Sequence, residues 1–375
     1  MSKTKKFIYS IATLVGSTVG VGLFSLPYLA QRVGFFVMLG YFFVLGVIVT
    51  IIHSLFGKLA IKTPDYKRLP GFAKFHLGDW GKRIASFCSI LGTFISTLAY
   101  IIVGGRFLQE LLSPVLNIQW GLFYNLLYFT AGAILIYFGI KAVAQIEFLA
   151  LIFLFFASIL IFIKCHSIIN LEYLMFVPDN LSLSDFFLPY GAILFSLWGS
   201  SLIPEAEEML GEDKGLLKKV IPIATIIPII IYIFFIYLVL GITGPETTQS
   251  ALTGLRSYLG PGLFNLTLSL GVITTFTSFI AFGLNLKKVF YYDLKLSHLK
   301  AWLITCFTPL AIFLFGVRSF ITVINISGGI MLGVEGILIL LMSRKAQEKK
   351  TWLLTSLLIL IFTFGIIVET TSLFW

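Results

Sequence analysis

The stretch GSTVGVGLFSLP, Gly16 to Pro27, lies inside the first hydrophobic run of the chain, residues 7–31, where a membrane-spanning helix would normally be continuous. Gly16, Gly20 and Gly22 weaken a helix, and Pro27 removes a backbone donor. Hydrocarbon offers freed peptide groups no partner, so a break at this depth must be sheltered by protein or line a cavity. Transporters use such breaks, because half-helix ends and unwound carbonyls at the bilayer midplane supply donors and acceptors for substrate and ion. The competing reading is a packing face of small residues, since Gly16 and Gly20 have the spacing that lets two membrane helices approach closely. The rest of the chain has to decide.

Composition sets the class. The 375 residues are 58% hydrophobic and 12% charged, with a mean hydropathy of +1.00, which is the profile of a polytopic membrane protein. A net charge of +10 could suggest nucleic acid, but the basic residues fall in short clusters between apolar runs, so no nucleic-acid partner is expected and the charge reads as membrane orientation. Cys88, Cys165 and Cys306 lie in or beside apolar segments without disulfide or zinc spacing, and read as packing residues. The basic start MSKTKKFIYS resembles a signal peptide, but the apolar run is too long and no small-residue cleavage site follows, so it reads as a retained first span.

Eleven apolar segments follow one another, near 7–31, 34–56, 85–112, 119–139, 143–164, 186–209, 220–242, 262–285, 299–316, 319–342 and 351–369. Each is close to the roughly 20 residues that cross hydrocarbon as a helix. With the N-terminus inside, every Lys and Arg except Arg32, Arg106, Lys164, Arg256 and Arg318 falls on the cytoplasmic side. That asymmetry predicts eleven spans, a cytoplasmic N-terminus and an extracytoplasmic C-terminus. The longest connection is a basic loop from about Gly57 to Lys82, too short for a soluble domain.

The sixth segment, FLPYGAILFSLWGSSLIPEAEEML, settles the opening question. Gly199 and Ser200 stand mid-span with Pro204 five residues after Gly199, repeating the spacing from Gly22 to Pro27. Two interruptions five spans apart fit an inverted repeat, because an odd number of spans turns the second copy upside down. The expected fold is an all-α polytopic membrane protein of eleven transmembrane helices, with helices one and six broken mid-membrane. It forms one membrane domain over residues 1–375, with repeats at about 7–166 and 186–342 and an extra helix at 351–369.

These residues carry a family resemblance. GSTVGVGLFSLPYLAQRVGF resembles the opening helix of the amino acid/polyamine/organocation transporters, most closely their aromatic and neutral amino acid permease branch. FSLWGSSLIPEAEEML with LKKVIPIATIIPIIIYIFFIYLVLGITG is similar to the sixth and seventh helices of that branch, and TSFIAFGLNLKKVFYYD to its eighth helix and following loop. The resemblance implies the leucine-transporter type of five-plus-five fold, with the twelfth span of many relatives missing. It also implies that the carbonyls of Phe195, Ser196 and Trp198, at the break marked by Gly199, receive the substrate ammonium. The substrate carboxylate suits a helix N-terminus, here near Gly20, Val21 and Gly22, where the lack of side chains lets an anion approach the N–H groups.

Charged groups in apolar segments are expensive, about 2.5–3.5 kcal/mol at the bilayer centre, so Glu147, Glu205, Glu207, Glu208 and Glu335 are singled out. Glu205 reads as a cytoplasmic gate or proton-handling group, Glu207 and Glu208 as interfacial residues near the Lys214–Lys219 cluster. The histidines show no metal spacing, and His53 reads as a hydrogen-bonded interior residue. For the coupling ion, Thr277 and Ser278 in the eighth segment fall at a depth similar to that of Gly16 and Val19 in the first. With the carbonyl of Thr274 they form an oxygen set suited to Na⁺; otherwise the hydroxyls bond back to their own helix. The resemblance pulls both ways, since the family's Thr-Ser pair marks a sodium site while bacterial aromatic permeases are held to use protons. Sodium is the preferred reading, with a proton carried by Glu205 or an unidentified group as the alternative. No other cofactor is expected.

No cluster of catalytic groups argues for an enzyme, and a single pseudo-twofold chain offers no ring of pore residues for a channel. The expected function is a secondary transporter that imports a neutral amino acid, large or aromatic, with Na⁺ or H⁺, because no charged residue is expected near either break. The rival is an amino acid sensor or germinant-receptor subunit of the same fold, which binds without transport.

Overall fold

The computed structural model describes residues 2–64, 68–139, 143–176, 178, 181–346 and 352–372; Lys67, Lys141, Lys349, Lys350 and the side chain of Glu147 lie outside the described set. Among the described residues every regular element is a helix. Helix α1 (Lys3–Thr18) starts under a Ser2 cap and ends at Val19, which is extended, as is Gly20. A 3-10 turn over Val21–Ser25 leads into α2 (Leu26–Val33), and the pair is bent by 48°. Gly34, at φ 94°, then turns the chain into α3 (Phe35–Lys62), a conformation that favours glycine.

The segment read as a basic loop contains a helix, α4 (Leu69–Leu77). Phe72, Ala73 and Leu77 give it an apolar face that packs against α5 (Asp79–Leu116). Helices α6 (Gly121–Phe138) and α7 (Val143–Cys165) complete the first half, and the short α8 (Leu171–Met175) bridges to the second.

The second half opens as the first does. Helix α9 (Leu183–Leu197) ends at an extended Trp198, Gly199 follows, a 3-10 turn covers Ser200–Leu202, and α10 (Ile203–Leu210) has Pro204 in its first turn. Val19 and Trp198 have nearly the same backbone angles, φ −80° and −83° with ψ 100° and 107°. The two breaks therefore pair Gly20 with Gly199, whereas equal spacing to proline had paired Gly22 with Gly199. Gly22 instead sits inside the 3-10 turn, which is two residues longer in the first half.

Helices α11 (Leu217–Thr243), α12 (Pro261–Lys288) and α13 (His298–Leu314) follow. The next span comprises α14 (Phe320–Asn325), a π-helical stretch Ile326–Leu332 and α15 (Gly333–Ala346), and α16 (Trp352–Ser372) is last. By length and apolarity alone, seven described stretches can cross a membrane, or eight with the bent pair as one. The count of eleven is not fixed by that criterion: Leu183–Glu246 is one stretch by it, and His298–Leu314 and Ile152–Ile168 are short.

Packing places the breaks at the centre. Helix α1 lies on α10 and α11, α12 on α5 and α7, and α9 on α3 and the π-helical stretch, while α16 covers α15. Phe43, Phe138, Phe315 and Leu353 point outward, as lipid-facing residues do. Lys287 is buried, and its ammonium donates to the carbonyls of Ile136 and Tyr137 at 2.8 Å each, capping the C-terminal end of α6 where a cation is favoured.

The tightest inter-helix approach is between Gly328 of the π-helical stretch and Gly191 of α9, where a Cβ on Gly328 would overlap the Gly191 carbonyl. Gly328→Ala should cost about 1–3 kcal/mol through overpacking and lower the melting temperature of the purified protein. Gly40→Ala, with nothing within 4 Å of the new methyl, should melt at or above the wild-type temperature. Equal melting of all three proteins would contradict this packing.

Candidate functional site

The two breaks touch. The space a Cβ on Gly22 would take is held by the Ser196 side chain, with Phe195 Cδ1 3.1 Å away, and that of Gly199 is taken by Thr18 Oγ1. Val21, Gly22, Ser196 and Gly199 are buried, and Gly20, Phe195 and Trp198 partly so. Most of the candidate substrate residues are thus brought into one patch. At the start of the 3-10 segment Leu23 N–H donates to Gly20 O at 3.2 Å, while the N–H groups of Val21 and Gly22 precede the first bonded turn, where a helix offers them no partner of its own. The hydroxyls of Ser25 and Ser196 are turned away, donating to Gly22 O and Ala192 O at 2.7 Å each.

Two tyrosines that sequence reasoning did not single out complete the patch. Tyr232 of α11 is buried, with its hydroxyl 2.9 Å from the Thr18 carbonyl and 2.7 Å from the Ser196 carbonyl. Its one proton serves one carbonyl at a time, and the hydroxyl ties the last turn of α1 to the last turn of α9. Tyr100 of α5 brings its hydroxyl 3.1 Å from the Cβ position of Gly20. The signal available was a phenol in the middle of an apolar span, which must find a polar partner there. Phe24, in the same 3-10 segment, is buried and makes an edge contact to Phe107 at 5.0 Å between centroids.

A carboxylate also reaches the second break, against the expectation that none would. Glu335 of α15 accepts from the Trp198 indole N–H at 3.0 Å and from the Ser200 hydroxyl, both on Oε1. Linear spacing concealed this because Glu335 belongs to a different span. His53 packs edge-on against Trp198, 5.4 Å between centroids. It is buried as expected, but its Nε2 has no hydrogen-bond partner among the described residues, so the hydrogen-bonded reading is corrected for that atom.

Gly16 and Val19 line a cavity of about 180 Å³ whose other walls come from α7 and α11, including Phe155, Ser158 and Phe235. Thr274, Thr277 and Ser278 are buried in α12 and are not among those walls. Thr274 donates to the Leu270 carbonyl at 2.8 Å, and Thr277 lies 3.0 Å from the carbonyls of both Ile273 and Thr274. Among the described residues no group of three or more His, Cys, Asp or Glu could hold a metal ion.

Glu205 stands in the first turn of α10 with Oε2 buried and unpartnered among the described residues. Glu207 is buried 3.8 Å from Lys214, so it is paired with the basic cluster; Glu208 is exposed. At the far ends of the broken helices, Arg32 in the last turn of α2 meets Asp185 of α9 at 2.9 Å. The Ser182 hydroxyl, and then Arg32, hold the Asp185 carboxyl below the usual carboxylate range. The pair is therefore charged at neutral pH and is lost only as pH falls through that lowered value, below the ordinary ~3.9.

Comparison with known proteins agrees with this fold. The model of the tryptophan/tyrosine permease family matches residues 3–372. Among solved structures, MhsT in complex with L-phenylalanine superimposes with a TM-score of 0.68 at 17% identity, covering 97% of each chain. Mhp1, a nucleobase-cation-symport-1 family transporter in a closed conformation with bromovinylhydantoin bound, gives 0.67 at 10% identity, covering 98% of this chain and 91% of its own. No curated protein matches. The fold is the all-α, leucine-transporter type that the family resemblance implied.

Tyr232→Phe would leave both carbonyls without their shared donor, at a cost of about 1–3 kcal/mol. The expected readout is a lower melting temperature together with weaker amino acid binding by the purified protein. An unchanged melt with unchanged binding would remove Tyr232 from the site.

Proposed function

We propose, from the premise that this chain belongs to the tryptophan/tyrosine permease family, that it imports a neutral amino acid, large or aromatic, by cation-coupled alternating access. It is a multi-pass membrane protein and a secondary amino acid transporter, not an enzyme. The observation that carries the reading is the meeting of two half-helix ends under one hydroxyl, that of Tyr232. N–H groups of the restarted first helix suit a carboxylate, and the unwound carbonyls around Ser196 suit an ammonium. Phe195, Trp198 and Tyr100 border the patch and favour an apolar or aromatic side chain. The one carboxylate present, Glu335, is engaged by neutral donors of the protein, so an ionised substrate side chain finds no free counter-charge.

Gly16, Val19, Thr274, Thr277 and Ser278 form the proposed sodium set. Its use requires the Thr277 hydroxyl, which bonds back to its own helix, to turn toward the ion.

Counterflow in proteoliposomes with labelled amino acids is the direct test. Phenylalanine, tyrosine, tryptophan or leucine should exchange in preference to lysine or glutamate, and Gly22→Leu should abolish binding, because Ser196 and Phe195 already fill that space. Preference for lysine or glutamate would overturn the substrate reading; binding without exchange would turn the assignment to a sensor. Sodium-driven uptake lost in Thr277→Val with Ser278→Ala would support the sodium set, and pH-driven uptake insensitive to both would remove it. The eleven-span topology, N-terminus inside, predicts labelling of a cysteine at Ser2 only from the cytoplasm and at Ser372 only from outside.

A further inference from the structure

We propose that Glu335 is the proton-binding group of this transporter, and that it takes up its proton when the α10 half of the broken helix swings away from α15. The inference rests on the transport reading above and specifies its coupling.

Glu335 is the carboxylate that contacts a break directly. Its Oε1 accepts from Trp198 Nε1–H and from the Ser200 hydroxyl, residues that flank Gly199. Ser200 opens the restarted helix, so the carboxylate also faces the N-terminal end of Ser200–Leu210, where partial positive charge favours an anion. Two donors and a helix end thus stabilise the charged form. Opposing them is the intramembrane setting: among the described residues no Lys or Arg nitrogen lies within 4 Å of Glu335, and burying an unpaired carboxylate in apolar surroundings favours the acid. These opposing effects poise the group, and two of the terms favouring the anion, the Ser200 hydroxyl and the helix end, come from the α10 half of the broken helix, while Trp198 caps α9. Moving α10 removes the first two together and leaves the indole as the sole donor of the pair. Protonation and the position of α10 are then reciprocally linked. Chemically, one proton from water joins the carboxylate, the charge-assisted bonds to Trp198 and Ser200 weaken, and loss of that proton restores them.

The local backbone suits such a hinge. Glu335 lies three residues beyond the π-helical stretch Ile326–Leu332, whose Gly328 packs directly on the Gly191 carbonyl of α9. Such π-helical insertions concentrate at functional sites, and this one leaves the span's hydrogen-bond register open to change. The neighbouring titratable groups are few. Helix α3 contributes His53, whose buried, unpartnered Nε2 lies in the ring packed on Trp198. Helix α5 contributes Cys88, and α4 carries Lys74 and His76, the latter bonded to Thr63. Helix α16 has only Glu369, which accepts from Gly191 N–H, and α10 brings Glu205, Glu207 and Glu208. The π-helical stretch itself carries no titratable side chain. His53 is placed to receive or relay the proton through water once Trp198 moves.

The test uses the full chain in proteoliposomes, with sodium absent and tryptophan and tyrosine as probes. Wild type should accumulate substrate up to about tenfold per unit of inward-directed pH gradient for one proton per substrate. Glu335→Gln should bring accumulation down to the unity ratio, and the exchange that survives should no longer vary with pH. Glu335→Asp should restore pH-driven accumulation in part. Glu335→Gln that still concentrates substrate under a pH gradient overturns the proposal, as does wild type that accumulates only with sodium. Wild type that exchanges neither amino acid under any gradient overturns the transport reading instead. If Glu335→Gln does not reach the membrane, substrate addition to wild type in weakly buffered detergent decides. A proton taken up or released per substrate bound, lost in Glu335→Asp at the same pH or shifted to another, supports the assignment, and no proton exchange overturns it.

Discussion

A helix interrupted inside a bilayer strands peptide groups that lipid cannot satisfy, and this structure depends on how those groups are answered. At the ends of α1 and α9 the answer is a single phenol, Tyr232, whose hydroxyl lies within hydrogen-bond distance of Thr18 O and Ser196 O. The surrounding contacts follow from bringing two broken helices that close. Gly22 must be glycine because Ser196 occupies its side-chain space, Gly199 because Thr18 does, and the hydroxyls of Ser25 and Ser196 fold back on their own carbonyls so that the patch keeps its free backbone polarity.

Both breaks are held from outside the broken pair, but by different chemistry. Gly20 and the Thr18 carbonyl are met by the phenols of Tyr100 and Tyr232, the latter shared with the Ser196 carbonyl, whereas Trp198 and Ser200 are tied to the carboxylate of Glu335. The second break thus carries an ionisable contact in addition to neutral ones, and the strength of that contact changes with charge. The outer ends of the same two helices are pinned by Arg32 and Asp185, an exposed pair whose contribution is modest and which holds register more than stability.

Gly328 and Gly191 show what close helix approach contributes where hydrophobic driving force is weak. Lipid tails are as apolar as the side chains they would replace, so membrane helices associate through packing and polar contacts. Here the π-helical stretch brings Gly328 against the α9 backbone and Glu369 against Gly191 N–H, which binds the last helix to the broken one.

The sequence by itself determined that this chain is a polytopic, all-helical membrane protein, because mean hydropathy and the distribution of Lys and Arg are properties of composition and order. It also located both breaks, since glycine and proline act on the backbone within a few residues of where they stand. It paired them wrongly by two residues, because proline spacing does not report how long the intervening 3-10 turn will be. The helix Leu69–Leu77 was hidden inside a basic loop, its periodicity masked by charge and proline. Tyr100, Tyr232 and the position of Glu335 at the second break were decided only by tertiary structure. Glu335 stood out as a carboxylate in an apolar segment, but nothing in its own span tied it to the break; these residues become site residues through contact with distant helices, 36 positions away for Tyr232 with Ser196, 214 for Tyr232 with Thr18 and 137 for Glu335 with Trp198. Local propensity reads the backbone that bends; which side chains answer the bend depends on helix packing, which no short window of sequence contains.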